Sequence, residues 1–246
     1  MRTLALAFPL AAVVAAGCTP DRCKVGNDEL SMVVRAVDIL PEDGEEVRVG
    51  VDFATGDRAS LPISWRTCDG DRVLINGQEA RETQQEDRTE YTLTLSDEEG
   101  EVVTVELDRA SESGVVTASV QRPPRFTMLT PEPGASISRS EELVLTWEPP
   151  NEGGELQVEV QEELGGGRCI VSDDPEHDYK GIGGVRVEDN GRWTIPAGTL
   201  TNDGDLRCDA RYVFSRFSRG DYPEELAPGG FVEAQVLRIV LFESTP

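Results

Sequence analysis

Residues 91–107 have the sequence YTLTLSDEEGEVVTVEL, in which two alternating segments flank a polar linker containing one glycine. In each segment, threonine or glutamate alternates with tyrosine, leucine or valine, which is the period of a half-buried β-strand. Two strands of this length joined by a short glycine-containing loop are typical of a β-hairpin. The stretch therefore predicts two paired strands, each with one buried and one exposed face.

The same rhythm recurs along the chain. Alternating or apolar segments of strand length occupy residues 30–37, 47–53, 115–120, 143–147, 156–160 and 232–242, and Cys208, Ala210, Tyr212 and Phe214 share one face of a further strand. No window of about eleven residues or more combines a helical hydrophobic period with capping residues. Short strands separated by glycine, aspartate and proline are typical of sandwiches, so the predicted fold class is all-β.

Adjacent prolines mark a boundary near the middle of the chain. Arg122-Pro123-Pro124 separates two sets of alternating segments, and consecutive prolines favour a short, stiff linker. The chain length suits one or two domains. We therefore predict two tandem β-sandwich domains, residues 25–122 and residues 123–246.

The second predicted domain begins with a motif of known type. TPEPGA at 130–135 is followed by ELVLTWEPP at 142–150, and GRWTIPAG occupies 191–198. These segments resemble immunoglobulin-like and fibronectin type III-like modules of bacterial surface proteins. The resemblance implies that Trp147 lies on the second strand and fills the core between two sheets. Residues 25–122 are similar to such a sandwich only in the rhythm of their strands.

The first seventeen residues have the organisation of a secretory signal peptide. Arg2 precedes an apolar run from Leu4 to Ala16, which is shorter than the roughly 20 residues that span a bilayer. Ala15-Ala16-Gly17-Cys18 resembles the lipobox of bacterial lipoprotein precursors. The resemblance implies removal of residues 1–17, lipidation of Cys18 and a short tether over residues 18–24. The alternative is a soluble secreted protein in which Cys18 is a spare thiol.

The resemblance to lipoproteins also implies a location. Thr19 stands where lipoproteins retained in the inner membrane carry aspartate, which favours the outer membrane of the cell envelope. Acyl chains on Cys18 would hold the protein at that membrane, since each buried methylene contributes about 0.8 kcal/mol.

The chain has five cysteines, an odd number for an oxidising compartment. Lipidation of Cys18 leaves four, which allow three pairings. Because the predicted boundary separates Cys23 and Cys68 from Cys169 and Cys208, we predict the disulfides Cys23–Cys68 and Cys169–Cys208. Zinc binding is the alternative, but the sequence lacks the closely spaced C-x-x-C pairs typical of zinc ligands.

Charge excludes one class of function. The chain has 47 acidic and 23 basic residues, a formal net charge of −24. Such a protein repels the phosphates of nucleic acids, so we exclude DNA or RNA as a partner.

Residues for catalysis are sparse. His177 is the only histidine and lies in the polar stretch SDDPEHD at 172–178, and no G-x-S-x-G motif is present. Nucleophilic catalysis normally needs such a base beside the nucleophile. Carboxylate pairs, which glycoside hydrolysis requires, are uninformative in so acidic a chain. We predict a protein that is not an enzyme and has no cofactor.

Three acidic loops have the residue types that calcium prefers. They are Asp69-Gly70-Asp71, Asp173-Asp174 and the segment from Asn202 to Asp205. Such residues also form ordinary turns, because they tolerate left-handed backbone. None of the loops matches an EF-hand, so no metal ligand is assigned.

Two further features invite functional interpretations. Arg219-Gly220-Asp221 has the sequence of an integrin-binding tripeptide, but in a chain rich in arginine, glycine and aspartate this sequence readily occurs by chance. Trp65, Trp147 and Trp193 lie within or beside alternating segments and are predicted to be core residues, not a carbohydrate-binding platform.

Together these features predict a non-enzymatic envelope lipoprotein that serves as a structural or interaction module. The expected partners are the membrane, through the lipid on Cys18, and another envelope protein or a polysaccharide. The alternative is a calcium-dependent surface protein that binds or hydrolyses carbohydrate.

Overall fold

The computed structural model describes residues 22–39, 46–55, 63–85, 88–98, 100–162, 171–172, 179, 184–201 and 207–246. Within these residues the chain forms nineteen strands and two short 3₁₀ turns, Arg22–Lys24 and Asn27–Glu29, which confirms the all-β prediction. No helix in these ranges is long and apolar enough to cross a membrane. The predicted signal peptide and Cys18 lie outside the described residues.

Each segment predicted from alternation falls within a strand, and the structure adds shorter strands that the alternation did not predict. Those of the first half are β1 (Leu30–Ile39), β2 (Glu46–Thr55), β3 (Ile63–Trp65), β4 (Arg72–Ile75), β5 (Gln78–Glu79), β6 (Arg81–Gln85), β7 (Arg88–Ser96), β8 (Val102–Asp108) and β9 (Val115–Gln121). Those of the second half are β10 (Thr127–Thr130), β11 (Ala135–Ser138), β12 (Leu143–Glu148), β13 (Glu155–Glu162), β14 (Val171–Ser172), β15 (Val185–Glu188), β16 (Arg192–Ile195), β17 (Leu200–Thr201), β18 (Cys208–Arg219) and β19 (Phe231–Thr245).

One large sheet runs through both halves of the chain. Its order is β15-β13-β18-β19-β1-β2-β7-β6, with β3 beside β2 and β11 beside β19. β19 pairs in parallel with β1 and with β11, and all other neighbouring strands in this sheet are antiparallel. Smaller sheets have the orders β5-β4-β8-β9, β10-β12-β16 and β14-β17.

The first core lies between the large sheet and the four-stranded sheet. Val47, Val49, Val51 and Phe53 alternate along β2 and are at most 1% exposed, as expected for the buried face of a strand. Trp65 meets Phe53 edge-on, with ring centroids 5.6 Å apart. Burial of such side chains is the main favourable contribution to folding here.

The second core lies between the large sheet and the three-stranded sheet. Trp147 on β12 is 2% exposed, and Tyr212 on β18 stacks against Phe242 on β19 with centroids 4.5 Å apart. Trp193 packs against this cluster and donates from Nε1 to the hydroxyl of Tyr179 at 2.9 Å. Trp147 therefore has the core position that the sequence motif predicts.

The predicted hairpin of residues 91–107 is wrong. β7 pairs with β2 and β6 in the large sheet, whereas β8 pairs with β4 and β9 in the four-stranded sheet. The turn between them passes from one sheet to the other, and Gly100 N donates to the Ser96 carbonyl at 2.9 Å. Tyr91 and Val105 thus reach the same core from opposite sheets. Alternation identifies the buried face of a strand but not the sheet that contains it.

The last strand, β19, contributes side chains to both cores. β18 and β19 pair antiparallel from Cys208 with Ser244 to Arg219 with Glu233. Phe214 and Phe242 pack in the second core, whereas Val232 and Ala234 pack in the first. The predicted second domain therefore also supplies residues to the first core, and the division into two domains remains a prediction.

Buried charges hold the connection between β9 and β10. Arg122 Nη1 and Arg125 Nε both donate to Asp38 Oδ2 at 2.7 Å, and Asp38 is fully buried on β1. Arg238 Nε donates to the Phe126 carbonyl at 2.7 Å, and burial lowers the pKa of Arg238 to about 10. The connection is thus fixed to β1 and β19 by charge-assisted hydrogen bonds.

Arg216 of β18 is the centre of a second buried group. Its Nε and Nη2 donate to the Asp189 carboxylate at 2.5 and 2.9 Å, and both side chains are at most 1% exposed. Its Nη1 donates to the carbonyls of Pro124 and Arg125 at 3.0 and 3.2 Å. Trp147 Nε1 donates to the same carboxylate at 2.6 Å. These bonds connect β18 to β12 and to the segment between the cores.

Candidate functional site

Both cores lie on the same side of the large sheet. Along β19, Val232 and Ala234 face the first core, and Val236, Val240 and Phe242 face the second. Because side chains alternate along a strand, the odd-numbered residues of β19 face the other side. Within the described residues, the four-stranded and three-stranded sheets both pack on the core side.

An apolar surface occupies the middle of this open side. It consists of Val213 and Phe217 from β18 and Leu237, Ile239 and Leu241 from β19, which we name the outer strip. Ile239 and Leu241 are 46% and 49% exposed, and Val213 lies directly opposite Ile239 in the strand register. Isolated apolar residues are common on surfaces, but adjacent ones mark interaction sites.

A groove of about 470 Å³ lies at one end of the outer strip. It is lined by Glu155, Gln157, Arg186, Phe217, Ser218, Arg219 and Glu233. Arg186 Nη1 lies 3.5 Å from Glu155 Oε2, but both side chains are more than 60% exposed. Such an exposed pair contributes little to stability, so its charges are available to a partner.

Acidic side chains outnumber basic ones on the outward faces of four strands of the large sheet. The outward charged positions of β13, β15, β18 and β19 are Glu155, Glu159, Glu188, Asp209, Glu233 and Glu243, against Arg186, Arg211 and Arg219. Arg211 Nε donates to Gln161 Oε1 at 2.9 Å, and Gln161 Nε2 donates to Glu159 Oε1 at 2.7 Å. An apolar centre with a polar, charged rim is the usual anatomy of a protein–protein interface.

Asp71 stabilises the turn in which it lies by accepting backbone hydrogen bonds. Its Oδ2 accepts from Cys68 N and its Oδ1 from Ala110 N, each at 2.9 Å. Both carboxylate oxygens are therefore engaged by backbone N–H groups. Among the described residues, no group of three or more His, Cys, Asp or Glu side chains is arranged to hold a metal ion. The other two acidic loops, at 173–174 and 202–205, lie outside those residues.

We expect the substitution Asp71→Ala to destabilise the protein by about 1–2 kcal/mol, because two backbone donors lose their acceptor. Urea unfolding measures this change. Asp69→Ala is the matched control: Asp69 is an exposed residue of the same turn, and its loss should change stability by less than about 0.5 kcal/mol. Calcium should stabilise the wild type and Asp71→Ala equally, if at all. A calcium-induced rise in Tm that Asp71→Ala abolishes would instead assign calcium to this loop.

The tripeptide Arg219-Gly220-Asp221 is packed against the first core. Gly220 N donates to the Val232 carbonyl at 2.9 Å, and Asp221 N donates to the Ser119 carbonyl at 3.1 Å. A Cβ on Gly220 would collide with the Ser119 carbonyl. A backbone held in this way is not the projecting loop that an integrin-binding tripeptide requires.

One predicted disulfide is confirmed. Cys23 and Cys68 are bonded, with their Cα atoms 5.8 Å apart. Cys208 is also disulfide-bonded, but its predicted partner Cys169 lies outside the described residues, as does His177. The Cys169–Cys208 pairing and the lipidation of Cys18 remain predictions.

A nearly continuous apolar run in the last strand could have indicated the outer strip from the sequence. From Val236 to Phe242 the chain is apolar at every position except Arg238. Such a run predicts a strand that is apolar on both faces, yet only one face of β19 meets a core.

Neither a protein-family model nor a curated protein matches this sequence.

Proposed function

We propose that this protein is a lipid-anchored, non-enzymatic interaction module of a bacterial cell envelope, and that it binds its partner through the outer strip. The observation that carries the proposal is the exposure of adjacent apolar side chains on the side of the large sheet opposite both cores. A rigid sheet that presents such a surface suits binding more than catalysis.

The strand order supports an immunoglobulin-like second domain. β10-β12-β16 form one sheet, and β15-β13-β18-β19 face it across the second core, with β11 crossing over to pair in parallel with β19. A seven- or eight-stranded sandwich with buried tryptophan is the arrangement that the resemblance of residues 130–150 implies. Two tandem domains of this kind, sharing the large sheet, form the body of the proposed module.

The short tether supports a position close to the membrane. Cys18 precedes Cys23 by five residues (23 − 18), which reach at most about 18 Å when fully extended. The Cys23–Cys68 bond then attaches that tether to the first core. A lipid on Cys18 would therefore hold the first core beside the bilayer.

The anchor is tested with Cys18→Ala in the native host. We expect the wild-type protein to partition with membranes and to carry a mass above that of the polypeptide by a glycerol group and its acyl chains. The Cys18→Ala variant should lose both properties and appear in the soluble envelope fraction. An unmodified wild-type mass in the membrane fraction would contradict the anchor.

Binding through the outer strip is tested by photocrosslinking in the same cells. Ile239→p-benzoylphenylalanine places the probe at the centre of the strip, and Leu129→p-benzoylphenylalanine on β10 is a matched control with the same 46% exposure. We expect one predominant adduct from position 239 and none from position 129. If neither position gives an adduct, the result would contradict binding through the outer strip.

A further inference from the structure

The border of the outer strip indicates the chemistry of its partner. Six acidic and three basic side chains face outward on β13, β15, β18 and β19, so these four strands have an apolar centre and a net acidic charge. We infer that the outer strip, if it binds as the proposed function states, docks a protein with a basic surface, in which lysine or arginine side chains surround an apolar centre.

The size of the surface fits a protein partner. Strands lie about 4.8 Å apart and rise about 3.3 Å per residue. With 8 residues in β13, 4 in β15, 12 in β18 and the twelve of β19 that pair with β18, the face covers roughly 570 Å². The smaller specific interfaces bury about 600 Å² on each partner. The groove beside Phe217 adds a recess for one side chain of the partner.

Charge complementarity selects among the possible occupants. A second copy of the chain would bring two molecules of net charge −24 together with the same acidic border on each side, which costs free energy. A basic surface gains from the same border, both in rate of association and in specificity. A polysaccharide would need a platform of adjacent aromatic side chains. The strip contains Phe217, whereas Phe231, also outward on β19, lies at the start of that strand beneath Arg35.

The outer strip is also preorganised. β18 pairs with β13 on one side and β19 on the other, and β19 pairs in turn with β1. Arg216 and Arg238, the inward neighbours of Phe217 and Ile239, are hydrogen-bonded beneath it. A surface that is already ordered loses little conformational entropy on binding.

The test starts from the protein in the adduct formed at position 239, identified by mass spectrometry and then purified. Its affinity for the wild-type protein is compared with that for Glu159→Lys/Glu243→Lys, which reverses two charges on the border. The matched control is Glu98→Lys/Glu142→Lys, which changes the total charge equally at exposed positions in the β7–β8 turn and just before β12, away from the outer strip. Thermal unfolding of each variant verifies that it folds.

We expect the border variant to bind at least tenfold more weakly at low salt and the control variant to stay within threefold of the wild type. The difference should shrink at high salt, because exposed charges are screened. Ile239→Ser should weaken binding at both salt concentrations, whereas Leu129→Ser should not.

Several outcomes would overturn the inference. They are an adduct between two copies of the chain, an adduct with polysaccharide, or a border variant that binds as tightly as the wild type. In each case the strip still binds, so the proposed function survives while the basic partner does not. The absence of any adduct at position 239 would contradict both the proposed binding function of the outer strip and the basic partner.

Discussion

Asp189→Ala is expected to destabilise the protein by about 3–5 kcal/mol, because it leaves the buried guanidinium of Arg216 without its carboxylate. Asp189 accepts from Arg216 Nε and Nη2 and from Trp147 Nε1, and no other carboxylate pairs with Arg216 among the described residues. The remaining acceptors of Arg216 are the carbonyls of Pro124, Arg125 and Pro149, which carry no net charge. For a chain of this length, the loss corresponds to a fall in Tm of roughly 6–20 °C.

The matched control is Glu155→Ala, which also removes the carboxylate of an arginine. Arg186 and Glu155 are 62% and 65% exposed, so water replaces the lost partner and the cost should stay below about 1 kcal/mol. Equilibrium urea unfolding of the two variants gives the comparison directly. Equal effects in the two variants would show that the Arg216–Asp189 pair is not buried as described.

A double variant separates the charge from the packing. Asp189→Ala combined with Arg216→Met removes the unpaired cation while retaining an apolar stem, and should recover part of the lost stability. Recovery by this substitution would assign the cost to the isolated charge. The effect extends to the proposed binding surface, because Arg216 directly precedes Phe217 of the outer strip on β18.

The positions of the strands of six residues or more could be predicted from the sequence, whereas the short strands and the strand partners could not. The segments 143–147 and 156–160 fall within β12 and β13 because alternation of side chains directly reflects burial of one face. β7 and β8 have equally clear alternation, yet they lie in different sheets. Two strands joined by a short turn bury their apolar faces in one core whether they pair side by side or face each other, so the pattern is the same.

The burial of Arg216 could be read from the strand periodicity but not from its residue type. Cys208, Ala210, Tyr212 and Phe214 were predicted to share one face of a strand, and Arg216 continues that face by the same period of two. Arginine is rarely buried unless it is paired, so periodicity and residue type give opposite predictions here. Only the three-dimensional position of Asp189, 27 residues earlier in the chain, resolves the conflict.

The Cys23–Cys68 disulfide was predictable because cysteine number and spacing leave few choices once a boundary is assumed. The outer strip was harder to recognise, since an apolar run cannot tell which of its faces will be covered. For β19 the answer depends on two cores that form on one side of the same sheet. That arrangement follows from the parallel pairing of β19 with β1, residues about 200 positions apart, and no local pattern encodes it.

Removal of the Cys23–Cys68 disulfide is expected to cost about 4 kcal/mol, the chain-entropy value for a closed loop of this length. The two cysteines are 45 residues apart, and their bond connects the N-terminal turn to the end of β3. The double substitution Cys23→Ala/Cys68→Ala frees this loop in the unfolded chain and should lower the urea midpoint accordingly. Lys24→Ser/Asp69→Ser is the control, since it alters the exposed neighbours of both cysteines and keeps the bond.

The loss of the bond should also release the N-terminal segment from the first core. Arg109 also holds this segment, with Nη1 donating to Asn27 Oδ1 at 2.9 Å and Nη2 to the Val25 carbonyl at 2.7 Å, and the Val25 side chain packs against the first core. We therefore expect faster amide exchange over residues 22–29 in the double variant, with β1 unchanged. If lipid on Cys18 anchors the protein, this segment carries the attachment to the membrane, and its release would allow the outer strip to reorient. A variant that is as stable as the wild type, with equal exchange over residues 22–29, would show that the contacts of Arg109 and Val25 secure the segment without the disulfide.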